Sequence, residues 1–111
     1  MSYSFQSKDL RQDVRVDLKV PVQINIGEQF TLQGVLKDLS LKSAFIIMKA
    51  SVYFKINDEV GFLIQCTPGN AKDVIHGKAR ISRLAPGEGF VIYFTSMDHS
   101  SEARLKKSIG V

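Results

Sequence analysis

From Leu18 to Ile26 every second residue is aliphatic: Leu18, Val20, Val22, Ile24 and Ile26, separated by Lys19, Pro21, Gln23 and Asn25. A period of two puts all five aliphatics on one face of an extended chain, whereas a helix would repeat its apolar stripe every three or four residues. The segment reads as a strand with one face in a core and the other in water. Pro21 has no amide hydrogen for a neighbouring strand and lies on the polar face, which places it at a sheet edge or beside a bulge.

The same alternation recurs along the chain. Gly27-Glu28-Gln29 supplies a turn, and Phe30, Leu32, Gly34 and Leu36 then complete a hairpin. After a corner at Lys37 to Ser43, the continuous run from Ala44 to Met48 is too short for a surface helix and reads as a strand buried on both sides. In the loop from Lys55 to Glu59, Asn57 tolerates the left-handed conformation of a tight turn. Val60 to Cys66 forms the next strand, closed by Thr67-Pro68-Gly69-Asn70. Val74 to Arg83 and Gly89 to Thr95 form a second hairpin around Ala85-Pro86-Gly87-Glu88. Six short strands indicate an all-β barrel or sandwich.

The C-terminal segment changes character. Capping side chains in Ser96-Met97-Asp98-His99 precede Leu105 and Ile109, with Glu102 early and Lys106 and Lys107 late, as a helix macrodipole prefers. A short helix is expected, leaning on the barrel by a thin apolar stripe. Residues 1–9 have no period and are expected to form a flexible arm, with residues 10–111 as one domain.

Length and composition exclude several classes. The 111 residues suffice for one core, and 44% apolar with 23% charged residues is ordinary globular usage. The longest apolar runs are short: Ala44 to Met48 and Phe90 to Phe94 are five residues each, and Val60 to Ile64 is interrupted by Gly61. A membrane-spanning helix needs about 20, so no membrane insertion is expected. No basic cluster followed by an apolar stretch opens the chain, and a single cysteine, Cys66, excludes an internal disulfide; both suit a reducing cytoplasm.

No catalytic constellation is visible, so no enzyme activity is expected. G-x-S-x-G is missing, and Gly69 and Gly77 are eight apart with Ala79 after Lys78, which fails the phosphate-loop pattern. His76, His99 and Cys66 have no metal-ligand spacing, so neither a metal nor a cofactor is expected. The charge of +4 mildly favours an anionic partner.

Two short segments stand out on this frame. Arg11-Gln12-Asp13-Val14-Arg15 leads into the first strand, and Asp38-Leu39-Ser40-Leu41-Lys42-Ser43 follows the second. Singly, each has an ordinary explanation, a solvated basic lead-in and a turn whose Asp and Ser bond local backbone. Together and in this order they resemble the PilZ domain family, with its R-x-x-x-R and [D/N]-x-S-x-x-G motifs. The likeness extends through Phe54 to Val60 and the hairpin Gly77 to Phe94.

This resemblance implies a six-stranded antiparallel β-barrel with a short C-terminal α-helix. It also implies a bacterial receptor for the second messenger cyclic di-GMP, with Arg11, Arg15, Asp38, Ser40 and Ser43 at the ligand. The physical logic fits that assignment. Arginine forks bond phosphate or guanine acceptors and stack on bases, while the Asp38 carboxylate accepts from guanine N–H donors. Ser43 stands where the motif has glycine; a positive φ there would cost a serine about 1 kcal/mol.

The leading reading is a receptor whose N-terminal arginine arm orders over the ligand and which signals through an unidentified partner protein. One alternative is a PilZ-like interaction scaffold that has lost ligand binding, with Ser43 as the cause. Another is a small basic barrel binding single-stranded nucleic acid on Phe30, Phe45, Tyr53 and Phe54, disfavoured by the modest charge. Arg80 and Arg83 either extend the anion-facing surface or are ordinary exposed strand charges.

Overall fold

A computed structural model describes residues 15–48 and 54–110. Seven strands and a helix follow in order: β1 (Val16–Asp17), β2 (Pro21–Ile26), β3 (Phe30–Leu39), β4 (Ser43–Ile47), β5 (Glu59–Gln65), β6 (Val74–Ala85), β7 (Gly89–Met97) and α1 (His99–Ile109). The strands pair antiparallel in the order β3-β2-β5-β6-β7-β4, and β4 returns to β3, which closes a six-stranded barrel. Two-residue β1, not expected from the sequence, pairs only with β3, Val16 opposite Leu39 and Asp17 opposite Asp38.

The alternation predicted the interior. Val20, Val22 and Ile24 point inward and join Leu36, Ile46, Phe62, Ile64, Ile75, Ile81, Phe90 and Ile92 in one buried cluster. Pro21 is neither at an edge nor at a bulge. β2 is flanked by β3 and β5, and Pro21 is its first residue, ahead of the β5 pairing that starts at Val22 opposite Ile64, so no ladder bond is lost. Asn57 takes the expected left-handed conformation, with φ 75°.

Two expectations about β3 and β4 are corrected. The corner is shorter than Lys37 to Ser43, because a bulge after Leu36 absorbs one residue and lets pairing resume at Asp38 opposite Phe45. β4 is not apolar-covered on both faces. Ala44 and Ile46 fill the interior, but Ile47 on the outer face is 36% exposed beside Val35 at 43%. Close approach of β7 to β4 requires Gly89, where a Cβ would collide with the Ile46 carbonyl.

Helix α1 begins where expected, with Asp98 as N-cap accepting from the Ser101 amide at 2.7 Å, and ends at Gly110 with φ 80°. It does more than lean on the barrel. Leu105 and Ile109 enter the core cluster, and buried Ser101 accepts the His76 amide at 3.1 Å, tying the helix to β6. Cys66 is half-buried. Among the described residues no helix is long and apolar enough to cross a membrane.

Candidate functional site

The barrel's outer surface carries one row of residues that crosses four strands. Asp38 on β3 faces Phe45 on β4, Phe45 faces Val91 on β7, and Val91 faces Arg83 on β6. Beside this row lies a second, Ser43 opposite Tyr93 and Tyr93 opposite Arg80, with Tyr93 47% exposed. The first row floors an open hollow of about 550 Å³ that Arg15, Lys37 and Ser82 also line.

Bulges shape both ends of that row. In β3, Leu36 and Leu39 are buried while Lys37 and Asp38 between them both face outward. In β6, Ile81 is buried while Ser82 and Arg83 are both exposed, because the ladder steps from Ile81 opposite Ile92 to Arg83 opposite Val91. Strict alternation would have turned one residue of each pair into the core; the extra residue re-aims it.

Arg15, immediately before β1, is brought to the hollow by the pairing of β1 with β3. Its Nε donates to Asp38 Oδ1 at 2.7 Å, and Nη2 lies 2.6 Å from the same oxygen. The third nitrogen, Nη1, donates to Ser43 Oγ at 2.9 Å and more weakly to Ser40 Oγ at 3.4 Å. Ser40 is buried at the turn between β3 and β4, where its amide donates to the Ser43 carbonyl at 2.9 Å and its Oγ accepts the Ser43 amide at 3.2 Å. Ser40 therefore fixes the corner, and Ser43 and Asp38 present oxygens from it to one guanidinium.

Ser43 opens β4 in extended conformation, since Asn57 is the sole non-glycine with positive φ among the described residues. The strain considered for a serine here does not arise. Four predicted site residues, Arg15, Asp38, Ser40 and Ser43, thus meet at one corner; Arg11 lies outside the described residues. Arg80 and Arg83 separate in role. Arg80 pairs with Glu59 at 3.3 Å, while Arg83 lines the hollow with its Cζ 5.9 Å from the Phe45 ring centroid.

Sequence reading missed Lys37, Ser82, Val91 and Tyr93, and placed Phe45 in a different role. The Lys37 Nζ sits 4.9 Å from the Phe45 ring centroid and 3.1 Å from Glu88 Oε1. A legible signal existed: Lys37-Asp38 and Ser82-Arg83 are adjacent polar pairs that interrupt alternating strands. As a whole the corner combines donors for an anion with a carboxylate for a donor-bearing ring edge. No group of three or more His, Cys, Asp or Glu side chains suited to a metal gathers among the described residues.

The PilZ domain model matches residues 9–110, and the chain belongs to the PilZ domain family. Solved structures share the fold. The Bacillus subtilis inhibitor of motility (MotI/DgrA) superposes with a TM-score of 0.72 at 15% identity, covering 86% of this chain and 47% of that one. The PilZ domain of CeSA from a cellulose-synthesizing bacterium gives 0.64 at 21% identity, covering 86% and 94%. The PilZ domain of YcgR from Escherichia coli with c-di-GMP gives 0.63 at 16% identity, covering 86% of each chain. No curated protein matches the sequence.

Proposed function

We propose that the protein is a bacterial, cytoplasmic receptor for cyclic di-GMP that relays the signal through a partner protein. The convergence of Arg15 with Asp38, Ser40 and Ser43 at one corner, beside a hollow that Arg15 and Asp38 line, carries this reading. A dianion with guanine edges needs guanidinium donors and a carboxylate acceptor side by side, and the corner offers both. Membership of the PilZ family and a structural neighbour that holds c-di-GMP support the same ligand.

In this reading the ligand recruits Arg15 from Asp38, and the N-terminal arginine arm, Arg11 included, closes over the bound dinucleotide. That rearrangement changes the surface a partner protein meets. Loss of binding through Ser43 is not favoured, because an extended backbone accepts serine without strain. The nucleic-acid reading is also not favoured. Phe54 is 4% exposed and packs against Phe90 at 4.6 Å between centroids, so it is a core residue rather than a stacking platform.

Calorimetric titration with cyclic di-GMP, and with cyclic di-AMP as the adenine control, tests the reading. Saturable one-to-one binding of the guanine form supports it. A folded chain that gives no heat with cyclic di-GMP refutes it.

A further inference from the structure

Phe45 is buried yet does not belong to the core cluster. It alternates with inward Ala44 and Ile46, so its ring lies on the outside of the barrel, where Lys37 and Arg83 lie over it from β3 and β6. Both cations reach that position because a bulge turns an extra residue outward in each strand. Phe45 and the two cations over it add nothing to the core cluster, and core packing would have required neither bulge.

We infer that Lys37 and Arg83 are the phosphate-binding cations of the hollow, and that Phe45 is the floor on which a guanine stacks once those cations have turned to the phosphates. The inference rests on the cyclic di-GMP reading and deepens it. Charge decides which groups meet the phosphates. Arg15 is paired with Asp38 at 2.6 Å in this structure, and once recruited by the ligand its planar fork is matched to a guanine edge, which leaves the phosphates to other cations. Arg83 has no carboxylate partner within ion-pair distance among the described residues. Lys37 has one, Glu88, but both side chains are about half exposed, 45% and 52%, and such pairs are weak and readily exchanged. Two positive charges on either side of Phe45 balance the two phosphates.

The two contacts over Phe45 are also the weaker option for those cations. The cations stand 4.9 and 5.9 Å from the ring centroid, and a cation held over a ring at such distances is bound less strongly than one hydrogen-bonded to a phosphate. Phosphates arriving at the rim therefore draw Lys37 and Arg83 away and bare the ring for a base, which stacks favourably on an aromatic face. Arg80, on the same strand as Arg83 but engaged with Glu59, takes no part.

Titrating cyclic di-GMP into the full chain and into Lys37→Gln, Arg83→Gln, Phe45→Leu and Arg80→Gln, each at low and high salt, tests this. Lys37→Gln and Arg83→Gln are each expected to weaken binding about tenfold or more and to flatten its salt dependence. Phe45→Leu is expected to weaken it with the salt dependence unchanged, and Arg80→Gln to stay within about twofold of the wild type. Wild-type affinity in either charge variant or in a folded Phe45→Leu chain overturns the inference, as does an equal loss in Arg80→Gln, while binding by the unaltered chain keeps the receptor reading intact. Absence of binding by the wild type overturns that reading and this inference together. Thermal melts identify a Phe45→Leu chain that fails to fold, and the two surface charge variants then still decide.

Discussion

Arg15 gives two nitrogens, Nε and Nη2, to a single oxygen of Asp38, at 2.7 and 2.6 Å. The other carboxylate oxygen, Oδ2, accepts no hydrogen bond from a described residue, so the pair keeps an acceptor in reserve at the rim of the hollow. An arginine so placed is both stored and aimed. With Arg15 about 38% exposed and the pair at the surface, its contribution to folding stays at roughly 1 kcal/mol or below.

Replacing Arg15 by alanine is expected to weaken cyclic di-GMP binding by about 1.5–3 kcal/mol, the range for a hydrogen bond to a charged group. Arg15→Lys recovers only part of that, because an ammonium cannot fork. Calorimetry reads both, and denaturant melts close to wild type show that the fold is kept.

Asp38→Ala is expected to lower affinity and to narrow the preference for guanine over adenine dinucleotides. A carboxylate accepts from guanine N1–H and N2–H, and adenine offers no matching pair of donors. Competition between cyclic di-GMP and cyclic di-AMP measures the change in preference.

Ser43→Gly is expected to leave affinity equal or improved, since it removes a hydroxyl that holds Arg15 Nη1 at 2.9 Å. Stability should fall by about 0.5–1 kcal/mol from glycine in a strand. A urea melt and a titration on the same sample separate the two effects.

Acid should loosen α1 through its cap. Hydrogen bonds from the Ser101 amide and side chain, then from Ser100, with the charge of His76 adding least, hold the Asp98 carboxyl below its ordinary pKa. A depressed folded pKa means that the stabilisation is complete above the unfolded value near about 4 and is lost as pH falls through the folded one. Asp98→Asn keeps a capping acceptor that does not titrate. Melting temperature followed from neutral pH downward should therefore fall faster for wild type than for Asp98→Asn.

The thiol of Cys66 should be sluggish. Burial raises its pKa above that of a free cysteine, with the Asp73 charge adding to the effect against a hydrogen bond with Ser108 and the charge of Arg104. Less thiolate at neutral pH means slower reaction with a disulfide reagent than a small free thiol shows, and a steep gain at alkaline pH. Absorbance of the released thiolate follows both rates.

Much of this molecule could be read from residue order because period-two alternation and turn chemistry are local signals. Val22, Ile24, the Gly27 turn, Asn57 and the Asp98 cap all act within a few residues of themselves. The site was half legible for the same reason: Asp38, Ser40 and Ser43 share one corner, whereas Arg15 reaches them through the pairing of β1 with β3. Lys37 and Arg83 come together only because a closed barrel sets β3, β4, β7 and β6 side by side, which no local pattern encodes. Pro21 misled because its place at a strand start depends on where pairing with β5 begins.

Amide NMR of the full chain, recorded as cyclic di-GMP is added, tests most directly whether this corner is a receptor site. The largest shifts are predicted at residues 38–45, at Arg83 and at Val91, with α1 nearly still. Saturating shifts confined to α1 or to the β5–β6 turn, or a spectrum unchanged at excess ligand, would contradict it.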